Sequence, residues 1–210
     1  MSLHKKGMMF VLSSPSGAGK TTLTKKLAKN NKNFKISVSH TTRTPRTNEI
    51  NGEDYFFVKK EEFNSLVENN SFFEYAKIFN NFYGTLKEPV LNFLNEKKDV
   101  LFDIDWQGTQ QLKKLSQLSL VTFFILPPNI KTLKERLLNR HKGQEKLIED
   151  RMKKFNEEIS HWTEYDHVVI NDDLEECYNK IYKIIQQEKK GIKEKRNIDL
   201  ITRKVEELTK

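Results

Sequence analysis

The residues best suited to chemistry lie near the N-terminus, where SSPSGAGKTTL runs from Ser13 to Leu23. Glycines at positions 17 and 19 let backbone N–H groups converge on phosphate oxygens. Lys20 can reach the β and γ phosphates of a nucleotide, and the Thr21 hydroxyl can join the shell of Mg2+. The strict pattern G-x-x-x-x-G-K-[ST] asks for glycine where this chain has Ser14. That position is a strand exit and needs only a small residue, so the mismatch does not remove the reading. A polyphosphate site also calls for an acid at the end of a buried strand. The run VLFDID, Val100–Asp105, offers Asp103 and Asp105, which alternation would place on one face of a strand. Two acids at that spacing repel each other unless a cation or donor answers them.

A second group of residues points to a second phosphate. Arg43, Arg46 and Tyr55 share the segment SVSHTTRTPRTNEINGEDYFFV, and EYAKIFNNFYGT adds Glu74, Tyr83 and Thr85. Guanidinium forks match phosphate oxygens, and phenols donate to them. A carboxylate beside a hydroxyl, such as Glu74 near Thr85, has the pattern for a guanine edge: the acid accepts from N1–H and the 2-amino group, and the hydroxyl donates to O6. Adenine presents the wrong groups at both places. Taken singly, each residue has a plainer reading, as surface charge, a turn acid or a half-buried tyrosine. The histidines His40, His141, His161 and His167 read as structural or surface residues.

These groups need a scaffold, and the hydrophobic pattern describes an α/β one. Met8–Leu12, Val100–Asp105, Leu120–Leu126 and His167–Ile170 read as buried strands, the third ended by Pro127 and Pro128. A helix should follow the glycine-rich loop, with Leu23 and Leu27 on one stripe. Further helical patterns cover Glu88–Glu96, Gln107–Leu115, Ile130–Arg140, Glu145–Ile159 and Leu174–Glu188. Strands alternating with helices imply a P-loop parallel sheet covered by helices on both faces. Two stretches differ from this core. The first, from Ser39 to about Thr85, reads as a small mixed or antiparallel insertion. The second, roughly Asn129–Tyr165, reads as a charged helical appendage with a bend at HKGQ. The expected division is core at 1–38, insertion at 39–85, core at 86–128, a lid at 129–165, and core with a helical tail at 166–210. The tail from Lys189 could form one surface helix or fray.

At 210 residues the chain suits one compact unit. No apolar run approaches the roughly 20 residues of a membrane span, so a soluble protein is expected. The formal charge of +8 could serve nucleic acid, but the lysines are scattered among glutamates, as on solvated helix faces. No nucleic-acid or membrane partner is therefore expected. The lone Cys177 cannot form an internal disulfide, which fits a reducing cytoplasm.

In their order along the chain these segments resemble the guanylate kinases. The resemblance rests on SSPSGAGKTTL, SVSHTTRTPR, NGEDYFFV, FFEYAKIFNNFYGT, VLFDIDWQG, FFILPP, the Arg136–Arg151 stretch and VVINDDL, and covers nearly all of the chain except the tail. It implies Mg2+-dependent, reversible phosphoryl transfer from ATP to GMP, with dGMP as a further acceptor, in purine nucleotide metabolism. It implies ATP on Ser14, Pro15, Ser16, Gly17, Ala18, Gly19, Lys20, Thr21 and Thr22, with the lid arginines Arg136, Arg140 and Arg151, and Asn171 beside the adenine. It implies GMP on Ser39, Arg43, Arg46, Tyr55, Glu74, Tyr83 and Thr85. Thr21 and Asp103 are the expected Mg2+ residues, and Asp103 and Asp105 divide the metal and GMP ends between them in an order left open. Lys20, Arg43, Arg136, Arg140 and Arg151 are expected to act on the transferring group. Departures occur at Asn48 and His141, where the family commonly has glycine. Two rivals are an inactive guanylate-kinase-like interaction domain, which could dispense with the phosphate and lid residues kept here, and an AMP or UMP kinase, in which Glu74 and Thr85 would have no purpose. The oligomeric state, monomer or homodimer, is left open.

Overall fold

A computed structural model describes residues 6–115, 117–140, 145–193 and 197–210. In chain order the elements are β1 (Met9–Ser13), α1 (Lys20–Asn30), β2 (Phe34–Ile36), β3 (His40–Thr41), β4 (Phe56–Phe57), α2 (Lys60–Glu68), β5 (Phe72–Ile78) and β6 (Asn81–Leu86). They continue with α3 (Lys87–Asn95), β7 (Asp99–Asp103), α4 (Trp106–Lys113), β8 (Leu120–Leu126), α5 (Ile130–Arg140) and α6 (Glu145–Ser160). A 3-10 turn at His161–Glu164 then leads into β9 (His167–Ile170), α7 (Leu174–Glu188) and α8 (Ile198–Thr209).

The main sheet is parallel, in the order β2-β7-β1-β8-β9. All five residues of β1 are buried, because helices cover both of its faces. Phe10 and Leu12 pack with Leu23 and Leu27 of α1 and Ile181 and Ile185 of α7. Met9 and Val11 turn the other way, onto Val90 and Leu94 of α3 and Leu112 of α4. A third cluster joins Phe124, Leu126 and Val168 of the sheet to Leu133 and Leu137 of α5 and to Ile148, Phe155 and Ile159 of α6. A second, four-stranded sheet, in the order β4-β3-β6-β5, is built from the segment after β2. Its β5–β6 pair is an antiparallel hairpin, and β3 joins β6 antiparallel and β4 parallel.

Two sequence expectations are corrected, and one strand is added. The strand expected over Val100–Asp105 runs from Asp99 to Asp103, and Asp105 instead caps α4, its carboxylate accepting from Gly108 N at 3.1 Å. An aspartate that satisfies an orphan N–H at a helix start is better placed there than at a strand end. The short edge strand β2 was not anticipated, since its three residues are too few to show alternation. The tail is neither frayed nor merely on the surface: α8 sends Ile201 and Leu208 into the third cluster, at 7% and 3% exposure. The HKGQ bend and His141 lie outside the described residues.

Candidate active site

Two parallel strands, β1 and β7, end side by side with Leu12 in register with Asp103, and the loop of residues 14–19 leaves β1 there. Ser13 Oγ donates to Ile104 O at 2.8 Å and ties the two strand ends together. Gly19 adopts φ 99°, in the left-handed region that favours glycine, and precedes α1 with no side-chain cap. The first-turn N–H groups of α1 are thereby left to whatever fills the loop. A Cβ on Gly19 would come within 2.3 Å of Asn171 Nδ2. That amide donates to Ala18 O at 2.7 Å, so Asn171 braces the loop from the end of β9. Lys20 Nζ donates to Ile104 O at 2.7 Å and lies 3.2 Å from the Asp103 carboxylate.

The second sheet carries the residues expected on the acceptor side. Glu74 and Thr85 are cross-strand partners in the β5–β6 hairpin, and Ser39 Oγ lies 3.1 Å from Thr85 Oγ1. Glu74 is 3% exposed. Burial pushes its carboxyl up to about 7, against the pull of the Thr85 hydrogen bonds and with the Asp105 charge adding to the rise. Gly108 permits this packing, because a Cβ there would lie 2.4 Å from Glu74 Oε2. Arg43 Nη2 and Arg46 Nη1 both donate to Glu49 Oε1, at 2.8 and 2.9 Å, and Arg46 N donates to Glu49 Oε2 at 2.8 Å. The Arg43 guanidinium lies 5.4 Å from the Tyr55 ring centroid. Burial opposes the Arg43 charge, but Glu49 and Tyr83 outweigh it and hold the group above its ordinary value. Burial likewise raises Glu49, and the Arg46 N–H and the two guanidinium groups reverse the effect, leaving it below the usual carboxylate range.

The helices α5 and α6 close the site from the side of the loop. Arg151 donates from Nη1 to Ser16 Oγ, and Ser16 N donates to Glu158 Oε2 at 2.9 Å. Burial pushes the Glu158 carboxyl above its ordinary value, against the pull of the Ser16 N–H, Lys20 and Arg151. Arg136 Nη1, Glu74 Oε1 and Asn171 Oδ1 are buried polar atoms with no hydrogen-bond partner among the described residues. All three belong to residues lining the same cavity, and atoms of this kind are costly unless a ligand answers them.

That cavity, of about 590 Å3, brings most of the expected residues together. Ser14, Pro15, Ser16, Gly17, Gly19, Lys20, Thr21, Thr22, Arg136, Arg151 and Asn171 line it. Ser39, Arg43, Arg46, Tyr55, Glu74 and Tyr83 also line it, as do Asp103 and Asp105, with Asp103 beside Lys20. Ala18 and Thr85 lie behind the lining, at 0% and 1% exposure. Arg140 ends α5, and its side chain lies outside the described residues. Glu49, Glu158 and Phe79 are among the lining or bracing residues that were not foreseen. Glu49 had a signal, an acid three positions after Arg46 in a loop of like charges. Glu158 had a fainter one, lying two helical turns from Arg151 on α6 and so on the same face. Phe79 also lines the cavity, and its residue type and spacing carry no signal of that.

A parallel sheet with a glycine-rich loop and Lys20 at the carboxyl end of β1, an acid at the end of β7 and the arginines Arg43 and Arg46 lining the same cavity has the arrangement of a P-loop phosphotransferase. The guanylate kinase family model matches residues 6–188, and the chain belongs to the guanylate kinase family. It is an enzyme with the function of that family. It is 49% identical over 187 residues to the guanylate kinase of Novosphingobium aromaticivorans, covering 89% of this chain and 85% of the relative. It is likewise 49% identical over 189 residues to that of Rickettsia prowazekii, covering 90% and 95%. The crystal structure of guanylate kinase from Anaplasma phagocytophilum superposes with a TM-score of 0.74 at 36% identity, over 88% of this chain and 87% of that one.

Proposed function

We propose that the chain transfers the γ-phosphoryl group of Mg2+-bound ATP to GMP, and to dGMP, reversibly giving ADP and GDP. The observation that carries this reading is the buried Glu74, paired across the hairpin with Thr85 and lining the same cavity as the loop of residues 14–19. ATP would lie on Ser14 to Thr22 under Arg136, Arg140 and Arg151. GMP would lie between Glu74, Thr85 and Ser39 at its base and Arg43, Arg46, Tyr55 and Tyr83 at its phosphate.

The donor set fits Mg2+. The Thr21 hydroxyl and the Asp103 carboxylate both face the cavity, and among the described residues no group of three or more His, Cys, Asp or Glu forms a metal cage. Mg2+ at kinase sites is held by one or two carboxylates with substrate phosphates, so a sparse protein set is the right one. When bound, the ion would screen the phosphate charge of ATP. Asp105, committed to the cap of α4, is left for the GMP end.

No general base is required. The second pKa of a phosphate monoester is about 6, so GMP arrives mostly as a dianion able to attack. The barrier is the meeting of two anions, and it grows as water leaves and the local dielectric falls. Lys20 and the lid and clamp arginines supply the opposing charge, so catalysis is alignment plus electrostatic stabilisation. The segments 39–85 and 129–165 would close over the core to exclude water, which would otherwise accept the phosphoryl group. We place the enzyme in purine nucleotide metabolism in the cytoplasm, a reading supported by the family and by the lone buried Cys177. Phosphorus NMR of ATP, Mg2+ and GMP with the enzyme tests the reaction: GDP and ADP resonances should grow in equal amounts. ADP with inorganic phosphate and no GDP would contradict it.

A further inference from the structure

Phe79 is the first of two residues turning β5 into β6, and it holds φ 54°. Glycine or asparagine takes that conformation easily, whereas a bulky side chain there is strained. Strain of this kind persists where the surroundings impose it and the side chain is used. The ring of Phe79 lines the active-site cavity and lies under two cations of α6, with Lys154 Nζ 4.4 Å and the Arg151 guanidinium 5.7 Å from its centroid. Arg151 also donates to Ser16 Oγ in the phosphate loop. One guanidinium therefore touches the donor loop and the tip of the hairpin whose strands carry Glu74, Tyr83 and Thr85.

We propose that Phe79 is a positioning residue that holds Arg151 across the junction of the two nucleotide sites, so that filling the acceptor site strengthens binding at the donor site. GMP that settles the β5–β6 hairpin fixes the ring. The ring then fixes the guanidinium by cation–π attraction, and the guanidinium meets the ATP phosphates at Ser16. Linkage makes the effect reciprocal, so ATP raises GMP affinity by the same factor. The proposal rests on the assignment of ATP and GMP to the two ends of the cavity.

Calorimetric titration of the β,γ-methylene analogue of ATP, with and without saturating GMP, gives the coupling factor directly. In the wild type the factor should fall within the range of about 5 to 150 usual for coupled sites. Phe79→Gly relieves the backbone strain, so it should melt no lower than the wild type yet bring the factor near 1. Phe79→Leu, which keeps apolar bulk without the π face, should do the same, and Phe79→Tyr should restore the factor. Retention of the wild-type factor in Phe79→Gly or Phe79→Leu would overturn the proposal. Failure of the wild type to bind either nucleotide would overturn the site assignment beneath it.

Discussion

Glu74 on β5 faces Thr85 on β6 in register, and the carboxylate so placed is buried, with Oε1 meeting no partner among the described residues, in the cavity that the loop of residues 14–19 also lines. The placement is costly to the ionised carboxylate, because burial raises the carboxyl to about 7. A ligand presenting two adjacent N–H donors would repay it, which ties the destabilised pair to the choice of base.

Glu74→Gln should therefore cut kcat/KM for GMP on the order of 100-fold or more, because an amide N–H then opposes donors on the base. ATP affinity should stay within about twofold, measured by calorimetry. Loss of ATP binding in this variant would contradict the division of the cavity.

The raised carboxyl sets the direction of the pH dependence. Glu74 accepts two donors only when ionised, so binding of guanine expels a proton and weakens about tenfold per unit below pH ~7. Guanosine isolates this effect, since it lacks the titrating phosphate, and its pH dependence should vanish in Glu74→Gln. For stability the sign is opposite to that of a salt-bridged acid. The folded protein holds this proton more tightly than the unfolded chain does, so ionisation costs stability as pH rises from about 4.5 through about 7. Glu74→Gln should be the more stable protein near pH ~8, by up to about 3 kcal/mol, and equal to the wild type near pH ~4. Urea melts at the two pH values that show no difference in the effect of the substitution would contradict this.

Glu49 holds Arg43 and Arg46 on one carboxylate oxygen. Glu49→Gln should loosen both forks and raise KM for GMP about 5- to 20-fold, an orientation loss rather than a loss of charge. KM for ATP should not move. A GMP KM equal to that of the wild type would show that the arginines are held without it.

The terminal helix α8 lies beyond the family-matched residues 6–188, yet it buries Ile201 and Leu208 in the cluster shared with α5 and α6. Leu208→Ala should cost about 2–4 kcal/mol in chemical denaturation. An effect below about 0.5 kcal/mol would mean that the helix does not stay docked in solution.

Much of this was legible in the residues. The parallel sheet showed itself as apolar runs such as LVTFFIL between amphipathic helices, because buried parallel strands need no polar alternation. The phosphate loop was legible because its chemistry is local: backbone N–H groups, a lysine and a hydroxyl within a few positions. Long-range pairing was harder to see. Glu74 and Thr85 are eleven positions apart, and only the hairpin register makes them neighbours. Asp105 was misplaced because a strand-end aspartate and a helix-capping aspartate look alike when DIDWQG joins strand to helix directly. Phe79 is marked out by its backbone angle and the cations of α6, and no one-dimensional pattern carries either. The docking of α8 had a signal that the surrounding charges masked: Ile201, Val205 and Leu208 recur at helical spacing within IDLITRKVEELT.

The central claim is that the γ-phosphoryl group of ATP goes to a guanine nucleotide chosen by Glu74 and Thr85. A coupled assay of ADP release with Mg2+-ATP and a panel of GMP, dGMP, AMP and UMP tests it most directly. GMP and dGMP should turn over, with AMP and UMP lower by on the order of 1,000-fold or more in kcat/KM, as expected when buried polar groups are left unmatched. Equal rates with AMP and GMP would contradict the account.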